Sequence, residues 1–420
     1  MLAAMTAVYT LNIADRYVAS TLIEPIKAEL GLSDSAIGVL TGTSLGIFYV
    51  TAGIPLGVLA DRVNRRNMIS IALAGWSVMT MLCGMAANFW MLLLARIGVG
   101  VGEAGGTPPS QTILADKFAA NSRAAAMTVF ALGAALGATL GSSAGGWISH
   151  HFGWRTTFLV FGLVGLPLAL LVRLTVREPR RGQLDDQVHR SGPSPLSATL
   201  RFIRGQRSLM HVLAGSAVVT LWGWGLVWWT PSFLVRSHGL NLEEAGALLG
   251  PIHGIGGTLL MLLTVWLMSR YGRRDARFVT RIVAITTLLA TVPSVLAYWA
   301  TSLEFARAML WVFVPVTYLY IGPVFALVQN LVPPTMRAQS CAILVFVANV
   351  ANLVVAPQLV GIASDLVAAV SADPGESLRR VLIVLACTGF WAAWHFYAAE
   401  RGLHSDLETA GTTAPEAHTT

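Results

Sequence analysis

Apolar runs of about 20 residues recur along the whole chain, and they constrain its fold more than any other feature. A helix needs about 20 consecutive apolar residues to cross a hydrocarbon core of about 30 Å. Hydropathy and helix-breaking residues predict spans 1 to 12 at residues 2–24, 35–60, 67–87, 90–115, 122–147, 153–174, 209–234, 243–270, 277–300, 306–332, 338–365 and 380–399. Charged residues make up only 12% of the 420, against about 25% in soluble domains. The sequence therefore predicts an all-α membrane protein with twelve transmembrane helices.

Positive charge is unevenly distributed between the two sides of these spans. With the N-terminus in the cytoplasm, twenty of the 28 lysine and arginine residues lie on the cytoplasmic side and six on the other. The positive-inside rule then places both termini in the cytoplasm. The same bias accounts for the net charge of +7, so no nucleic-acid partner is expected.

The first span is expected to be retained rather than cleaved as a signal peptide. No lysine or arginine precedes it, and Arg16 interrupts it. Cys83, Cys341 and Cys387 all fall inside predicted spans, where a small apolar role is commoner than a redox pair. Neither a cofactor nor a metal is expected.

A polar stretch at 175–206, rich in charge, Gly, Pro and Ser, divides the spans six and six. The predicted domains are a six-helix bundle at 1–174, a cytoplasmic linker at 175–206, a second bundle at 207–400 and a cytoplasmic tail at 401–420. The tail has little to bury and is expected to be disordered.

Short basic motifs repeat between the halves. "ADRVNRR" at 60–66 aligns without gaps with "MSRYGRR" at 268–274. Each could be an ordinary cytoplasmic anchor, but their equivalent positions favour an internal repeat and hence two pseudo-symmetric bundles.

Span 4 carries charge inside the membrane. Within "ARIGVGVGEAGG", Arg96 and Glu103 are seven residues apart, so they share one helix face about 10 Å apart along the axis. Thr107 is expected to continue that stripe.

Span 1 has a second polar stripe, made of Tyr9, Asn12 and Arg16 at helical spacing. Asp15 is rotated by about 100° from Arg16. One of the two is therefore expected to face a central cavity and the other a neighbouring helix.

Placing an unpaired charge at mid-bilayer costs roughly 2.5–3.5 kcal/mol, so the four charged residues of spans 1 and 4 are expected to have a structural or functional role. Intramembrane ionisable groups usually mark ion or substrate pathways. The alternative is a static ion-pair cluster that fixes helix one to helix four, and both interpretations can hold together.

Several motifs of the sequence resemble those of a known family. "GVLADRVNRR" at 57–66 and the glycine-rich span 5 resemble the major facilitator superfamily, and "NIADRYVAS", "RIGVGVGEAG" and "GPVFALVQNLVPPTMRAQS" are similar to spinster-like transporters. The resemblance implies the major facilitator fold and proton-linked switching through Asp15 and Glu103. It also implies a lysophospholipid or sphingosine phosphate as the class of substrate.

The resemblance further implies a gate at the loop after span 2. Its residues are Gly57, Asp61, Arg62, Arg65 and Arg66. In the superfamily this aspartate faces the N-terminus of the eleventh helix, whose dipole favours a carboxylate, and helps to hold the cytoplasmic side shut. The second copy has Ser269 at the position of Asp61, so its arginines are predicted to serve as topology anchors.

The second half offers two further candidates. His253 is the ionisable side chain predicted deep in span 8; a lone histidine there is more often a packing residue, and a titrating role is the alternative. Trp222 is deep enough to line a cavity.

The chain is thus predicted to be a proton-coupled secondary active transporter of an amphipathic lysolipid- or sphingolipid-like solute, working by alternating access as a monomer in a bacterial cytoplasmic membrane. The anionic headgroup is expected near Arg16 or Arg96. The predicted substrate residues are Tyr9, Asn12, Arg16, Arg96, Thr107, Trp222 and His253. The alternatives are a carrier of a small organic anion or drug and a non-transporting receptor. An enzyme is not expected, since no HExxH or GxSxG motif lies at a plausible depth.

Overall fold

The computed structural model describes residues 1–60, 62–179, 194–272, 275–371 and 373–412. Its α-helices are α1 (Leu2–Thr21), α2 (Ile23–Leu30), α3 (Asp34–Gly38), α4 (Ser44–Ala60), α5 (Arg65–Gly84), α6 (Phe89–Ala104), α7 (Thr107–Lys117), α8 (Ala120–Thr139), α9 (Gly145–Thr175), α10 (Leu196–Gly205), α11 (Arg207–His238), α12 (Leu242–Pro251), α13 (Thr258–Leu267), α14 (Ala276–Trp299), α15 (Leu303–Val316), α16 (Ile321–Asn330), α17 (Arg337–Asn349), α18 (Ala356–Ala368), α19 (Pro374–Ala399) and α20 (Leu403–Thr412).

The predicted all-α membrane fold with twelve spans is confirmed. Over the described ranges, ten helical stretches are long and apolar enough to cross a membrane. One of them, Ala125–Thr175, has 51 residues, which is about 75 Å of helix. It contains both span 5 and span 6. Gly153, whose φ of 82° and ψ of 160° are not helical, separates the two spans. Helix α1 supplies the remaining span, with 20 residues whose hydropathy is lowered by its polar stripe.

Four spans change helix type in their interior. Spans 2, 5, 8 and 11 contain the π-helical segments Val39–Thr43, Leu140–Ala144, Ile252–Gly257 and Val350–Val355. Each segment joins two α-helices of one span. Such π-turns inside α-helices are frequent at functional sites.

The spans run between two ends of the molecule, the Asp34 end and the Arg65 end. The Asp34 end holds the connection from α1 through α2 to α3, and also the turn between α11 and α12. The Arg65 end holds the turn between α4 and α5.

Spans 5 and 8 meet along small residues, the 5–8 seam. A Cβ on Gly246 would lie 2.3 Å from the carbonyl oxygen of Ser142. Two hydroxyls cross the seam: Ser143 donates to the carbonyl of Gly246 at 3.0 Å, and Thr139 donates to that of Gly250 at 3.1 Å. The backbones approach this closely only because glycine leaves room.

Spans 2 and 11 form a corresponding 2–11 seam. A Cβ on Gly38 would lie 2.7 Å from the carbonyl oxygen of Pro357, and one on Gly42 would lie 2.4 Å from the Pro357 ring. Thr43 Oγ1 donates to the carbonyl of Val354 at 3.2 Å.

The chain divides into two compact units. The first comprises Met1–Gln187, Val227–Thr258 and Leu353–Val381; the second comprises Val188–Leu226, Leu259–Asn352 and Leu382–Thr420. The first unit thus contains spans 1 to 6 together with the Asp34-end parts of spans 7, 8 and 11. The predicted division into bundles at 1–174 and 207–400 stays a prediction.

Parts of the predicted linker and tail are helical. Helix α10 lies within the linker, where Thr199 Oγ1 donates to Gln339 Oε1 at 2.5 Å; linker residues 180–193 lie outside the described residues. The prediction of a disordered tail is wrong for residues 403–412, which form α20. The reason is a tertiary anchor, since the buried Asp406 carboxylate accepts from the Ser208 backbone N–H at 2.7 Å. Residues 413–420 lie outside the described part of the chain.

Candidate functional site

Two helices of the first unit bring four charged side chains together, here called the charge quartet. Asp15 and Arg16 lie on α1, and Arg96 and Glu103 lie on α6. Asp15, Arg96 and Glu103 are 1%, 2% and 0% exposed, and the Arg16 side chain is 11% exposed. Such burial requires compensation by partners within the protein.

One direct ion pair joins the two helices within the quartet. Arg16 Nε and Nη2 each lie 2.8 Å from Glu103 Oε2. Charge-assisted contacts of this length are about twice as strong as neutral hydrogen bonds. The sequence placed Arg96 nearest to Glu103 along α6, but two turns of helix separate those residues, whereas Arg16 approaches Glu103 directly from α1.

Asp15 points to a different neighbour, as its rotation from Arg16 requires. Its Oδ2 accepts from Thr80 Oγ1 of α5 at 3.4 Å. Its Oδ1 has no hydrogen-bond partner among the described residues. Asp15 also interacts electrostatically with Glu103 and Arg96, so the quartet is one coupled group.

Arg96 is the least satisfied member. Its Nε donates to the carbonyl of Leu40 at 3.4 Å, while Nη1 and Nη2 lack hydrogen-bond partners in the described part of the chain. Glu103 Oε1 and Asn12 Nδ2 are likewise unpartnered there. Buried polar atoms are nearly always hydrogen-bonded, so such a group calls for a functional explanation or for bound water.

Tyr49 is a site residue that sequence reasoning missed. The Arg16 guanidinium carbon lies 4.7 Å from the centre of its ring, within cation–π range. The only signal was a tyrosine inside the apolar run of span 2. Beside Arg16 is a cavity of about 10 Å³ lined by Ser20, Thr41, Leu45, Trp228 and Leu353, which is room for about one water molecule.

The other predicted residues of spans 1 and 4 are more scattered. Tyr9 stacks on Phe130 at 4.7 Å, and Asn12 is 2% exposed. The prediction that Thr107 continues the stripe of α6 is wrong. Helix α6 ends at Ala104 and α7 begins at Thr107, where two following prolines lack the N–H that a continuous helix needs.

The two candidates from the second half lie in different units. His253 is buried in the first unit and meets the Tyr17 ring edge-on at 4.9 Å, so it packs beside span 1. Trp222 is 0% exposed in the second unit, where its Nε1 donates to Ser294 Oγ at 3.1 Å and its ring meets Phe313. Trp222 is therefore a packing residue in this conformation rather than one that lines open space.

Part of the predicted gate motif forms a charge cluster at the Arg65 end. Arg65 is buried and pairs with Asp116 at 2.6 Å and Glu178 at 2.8 Å. Arg62 is exposed and Gly57 has open space beside it. The Arg66 backbone N–H donates to Glu178 Oε2 at 2.9 Å. Asp61 lies outside the described residues.

A second charge cluster, the Asp34 network, was not predicted. Arg236 on α11 grips both oxygens of Asp34 at 2.8 Å and also Glu24, with Nε 2.9 Å from its Oε1. Lys27 Nζ lies 2.5 Å from Asp34 Oδ1, and Ser364 donates to Asp34 Oδ2 at 2.7 Å. Asp34 is only 3% exposed. The network therefore ties α3 to α11 and α18.

Asp365 of α18 adds a helix cap at the same end. Its carboxylate accepts from the backbone N–H groups of Asp34 and Ser35 at 3.0 and 2.8 Å. A carboxylate at a helix N-terminus satisfies free N–H groups and complements the dipole.

A separate ion pair at this end lies wholly within the first half of the sequence. Arg155 pairs with Glu29, and Trp154 Nε1 donates to Glu29 Oε2 at 2.6 Å. These two donors hold the pKa of Glu29 below its usual range.

With this geometry established, comparison with known proteins decides the family. The sequence pattern of the Major Facilitator Superfamily matches residues 5–356. The chain belongs to the major facilitator superfamily. It is therefore a multi-pass membrane protein of a family of transporters.

Similar proteins narrow the relationship within the superfamily. An MFS-type efflux pump of Mycolicibacterium smegmatis is 33% identical over 392 residues, which cover 91% of this chain and 87% of the pump. The sphingosine-1-phosphate transporter SPNS2 of Danio rerio is 26% identical over 84% of this chain and 74% of its own length.

A solved structure is also similar over nearly the whole chain. It is a bacterial homologue of the human lysosomal transporter spinster in an inward-facing, unoccupied conformation, with a TM-score of 0.83 and 28% identity. The match covers 96% of this chain and 97% of that one. The predicted resemblance to spinster-like transporters is confirmed.

Proposed function

We propose that this chain is a proton-coupled transporter that moves an amphipathic, anionic lysolipid- or sphingolipid-like solute by alternating access. The observation that carries this proposal is the buried Arg16–Glu103 ion pair, with Asp15 on the adjacent face of α1. Two carboxylates and two guanidinium groups in a membrane helix pair are costly as mere structure and typical of a coupling site.

The quartet supports proton coupling through its charge balance. With all four groups ionised its formal charge is zero. Uptake of one proton by Glu103 would release Arg16 from its carboxylate partner and leave the quartet with one net positive charge. An anionic headgroup at Arg16 would restore neutrality, so the proton and the substrate anion favour each other.

An amphipathic substrate is favoured by the surroundings of Arg16. Its guanidinium lies on the Tyr49 ring and beside the apolar side chains of Leu45 and Leu353. The Danio rerio relative is a transporter of sphingosine-1-phosphate, which is likewise an amphipathic anion. The second candidate is export of a small organic anion or drug, which the efflux pump of Mycolicibacterium smegmatis favours.

We further propose that the Arg65 end and both termini lie in the cytoplasm of a bacterial cell, following the positive charge. The Asp34 end then faces outward, and the two seams with the Asp34 network close it. The proposed working form is a monomer in the cytoplasmic membrane. Labelling of single cysteines placed at Ser405 or Ser302, in a variant with Cys83, Cys341 and Cys387 replaced by alanine, tests the orientation, since only the cysteine at position 302 should react in intact cells.

The coupling test is transport in liposomes with Glu103→Gln. The neutral amide should abolish accumulation driven by a pH gradient but retain counterflow at equal pH, because substrate exchange needs no titration of this group. Glu304→Gln is the matched control, since Glu304 is exposed and pairs with Arg307 outside the quartet. Wild-type pH dependence in Glu103→Gln would refute the proton role. Parallel loss of both activities and of thermal stability would favour a static ion-pair cluster.

The substrate test is a chain-length series. Binding of lysophosphatidic acids and sphingoid phosphates to the purified protein should tighten as the acyl chain lengthens, because more apolar area is buried. Affinity that is indifferent to chain length would favour a small organic anion. Binding without counterflow would indicate a receptor, and product formation from a lipid would indicate an enzyme.

A further inference from the structure

A groove of about 900 Å³ opens on the surface of the first unit, between spans 2, 3 and 4. Its walls come from one stretch of each span: Leu56 to Leu59 of α4, Met68 to Met79 of α5, and Gly98 to Gly102 of α6 with Gly105 just after that helix. Ile71 and Val78, which line it, are 72% and 45% exposed. No member of the charge quartet lines it, so it is separate from the proposed transport site.

Glycines create this groove. A Cβ on Gly75 would meet nothing within 4 Å, so no other side chain fills the groove at that position. On the facing helix, Gly102 packs against the backbone of Trp76, with its Cβ position 2.9 Å from that residue's nitrogen. Helices α5 and α6 are therefore in close contact below the groove, while the space above Gly75 stays empty of side chains.

The two ends of the groove differ in polarity. At the Arg65 end it is lined by Asn64 and Asn67. The Arg66 Nε donates to Asn67 Oδ1 at 3.0 Å, and the Arg66 backbone is fixed by Glu178. The Arg66 guanidinium therefore lies beside Asn67, next to this end of the groove although not part of its lining, and the remaining lining is apolar apart from glycine.

The length of the groove matches one leaflet. From Asn64 to Met79 helix α5 advances about 22 Å at 1.5 Å per residue. Half of a bilayer hydrocarbon core is about 15 Å, and the headgroup region adds several more. A molecule with its head at Arg66 would thus extend its tail to about the middle of the membrane.

We propose that this groove binds one acyl chain of an anionic phospholipid, with its phosphate at Arg66. Charge complementarity favours an anionic over a zwitterionic headgroup. A guanidinium can bind the phosphate oxygens of either headgroup through two parallel N–H donors, but it repels the quaternary ammonium of a zwitterionic choline headgroup. The apolar walls bury the chain. This lipid is a resident of the protein surface rather than its transported solute, and the assignment does not depend on the proposed function.

The test compares lipid retention by purified full-length protein in detergent. Native mass spectrometry after addition of phosphatidylglycerol or phosphatidylcholine with identical chains measures the bound fraction of each. The wild type should retain phosphatidylglycerol over phosphatidylcholine by about fivefold, because the net charge of the headgroup is worth about 1 kcal/mol beside one arginine at the membrane surface. Arg66→Gln should remove that preference. Gly75→Phe, whose ring would occupy the empty space of the groove, should lower retention of both lipids.

Two control variants match these changes away from the groove. Arg201→Gln removes an exposed positive charge from α10, and Gly322→Phe adds a ring where a Cβ also meets open space; both should behave as the wild type. Each variant is first checked for the wild-type melting temperature without added lipid, and Gly75→Leu replaces Gly75→Phe if the latter fails. Equal retention of the two lipids by the wild type, or wild-type behaviour of Arg66→Gln or of both Gly75 variants, would overturn the proposal.

Discussion

Replacing Arg236 by glutamine should open the Asp34 end. Arg236 on α11 holds Asp34 and Glu24, which lie on α3 and α2 in the other half of the sequence. In the proposed alternating-access cycle these contacts break when the Asp34 end opens. Glutamine keeps much of the side-chain volume but removes the charge and the fork of donors.

The size of the effect follows from what remains around Asp34. Breaking a fully buried ion pair costs about 3–5 kcal/mol. Here the penalty is smaller, because Lys27 stays 2.5 Å from Asp34 and because the side chain of Glu24 is 21% exposed and can be hydrated. About 2–3 kcal/mol remains, which shifts the closed-to-open equilibrium roughly 30- to 150-fold.

The assay is double electron–electron resonance between spin labels at Ala28 and Ala247, which are exposed alanines of α2 and α12. Arg236→Gln should add a population at longer distances. Arg155→Gln is the matched control, since it removes an ion pair at the same end whose partners both lie in the first half. Unchanged distances in Arg236→Gln, or equal shifts in both variants, would refute the role of the Asp34 network as a closure.

Two further outcomes are expected. Arg16→Lys should weaken substrate binding about five- to tenfold with little change in melting temperature, because an ammonium keeps the charge but not the planar guanidinium fork. Titration calorimetry measures the dissociation constant. Equal affinity of the two proteins would mean that Arg16 pairs with Glu103 and does not contact the substrate. Gly246→Leu should lengthen the Ala28–Ala247 distances, because its Cβ would lie 2.3 Å from a backbone oxygen across the 5–8 seam. The control is Gly53→Leu, since a Cβ on Gly53 meets open space. Identical distances in the two variants would mean that the 5–8 seam does not close the Asp34 end.

The span count could be predicted from the sequence because the bilayer imposes a length and a polarity on each helix separately. The charges inside spans 1 and 4 were evident for the same reason, since any ionisable group in an apolar run departs from that rule. Their burial was therefore expected, and Asp15, Arg96 and Glu103 are indeed buried.

The pairing of those charges could not be predicted in the same way. Whether Glu103 meets Arg96 or Arg16 depends on how α1 and α6 are rotated and how closely they pack, which no single helix specifies. Likewise Arg236 and Asp34 are 202 residues apart, and each looked like an ordinary charge at the end of a span. The tail was mispredicted because its helix is stabilised by contacts with residues distant in the sequence, such as the one between Asp406 and Ser208.

The π-helical segments of spans 2, 5, 8 and 11 change how substitutions along those spans should be compared. One extra residue in a turn rotates everything beyond it by about 100° around the helix axis. Side chains spaced at i and i+7 across Val350–Val355, for example, do not share a face, whereas they would in an uninterrupted helix. Deleting a single residue from such a segment should therefore restore an uninterrupted α-helix and leave the side chains beyond it facing the same neighbouring helices, whereas the same deletion in an α-helical stretch of the span should rotate them by about 100°.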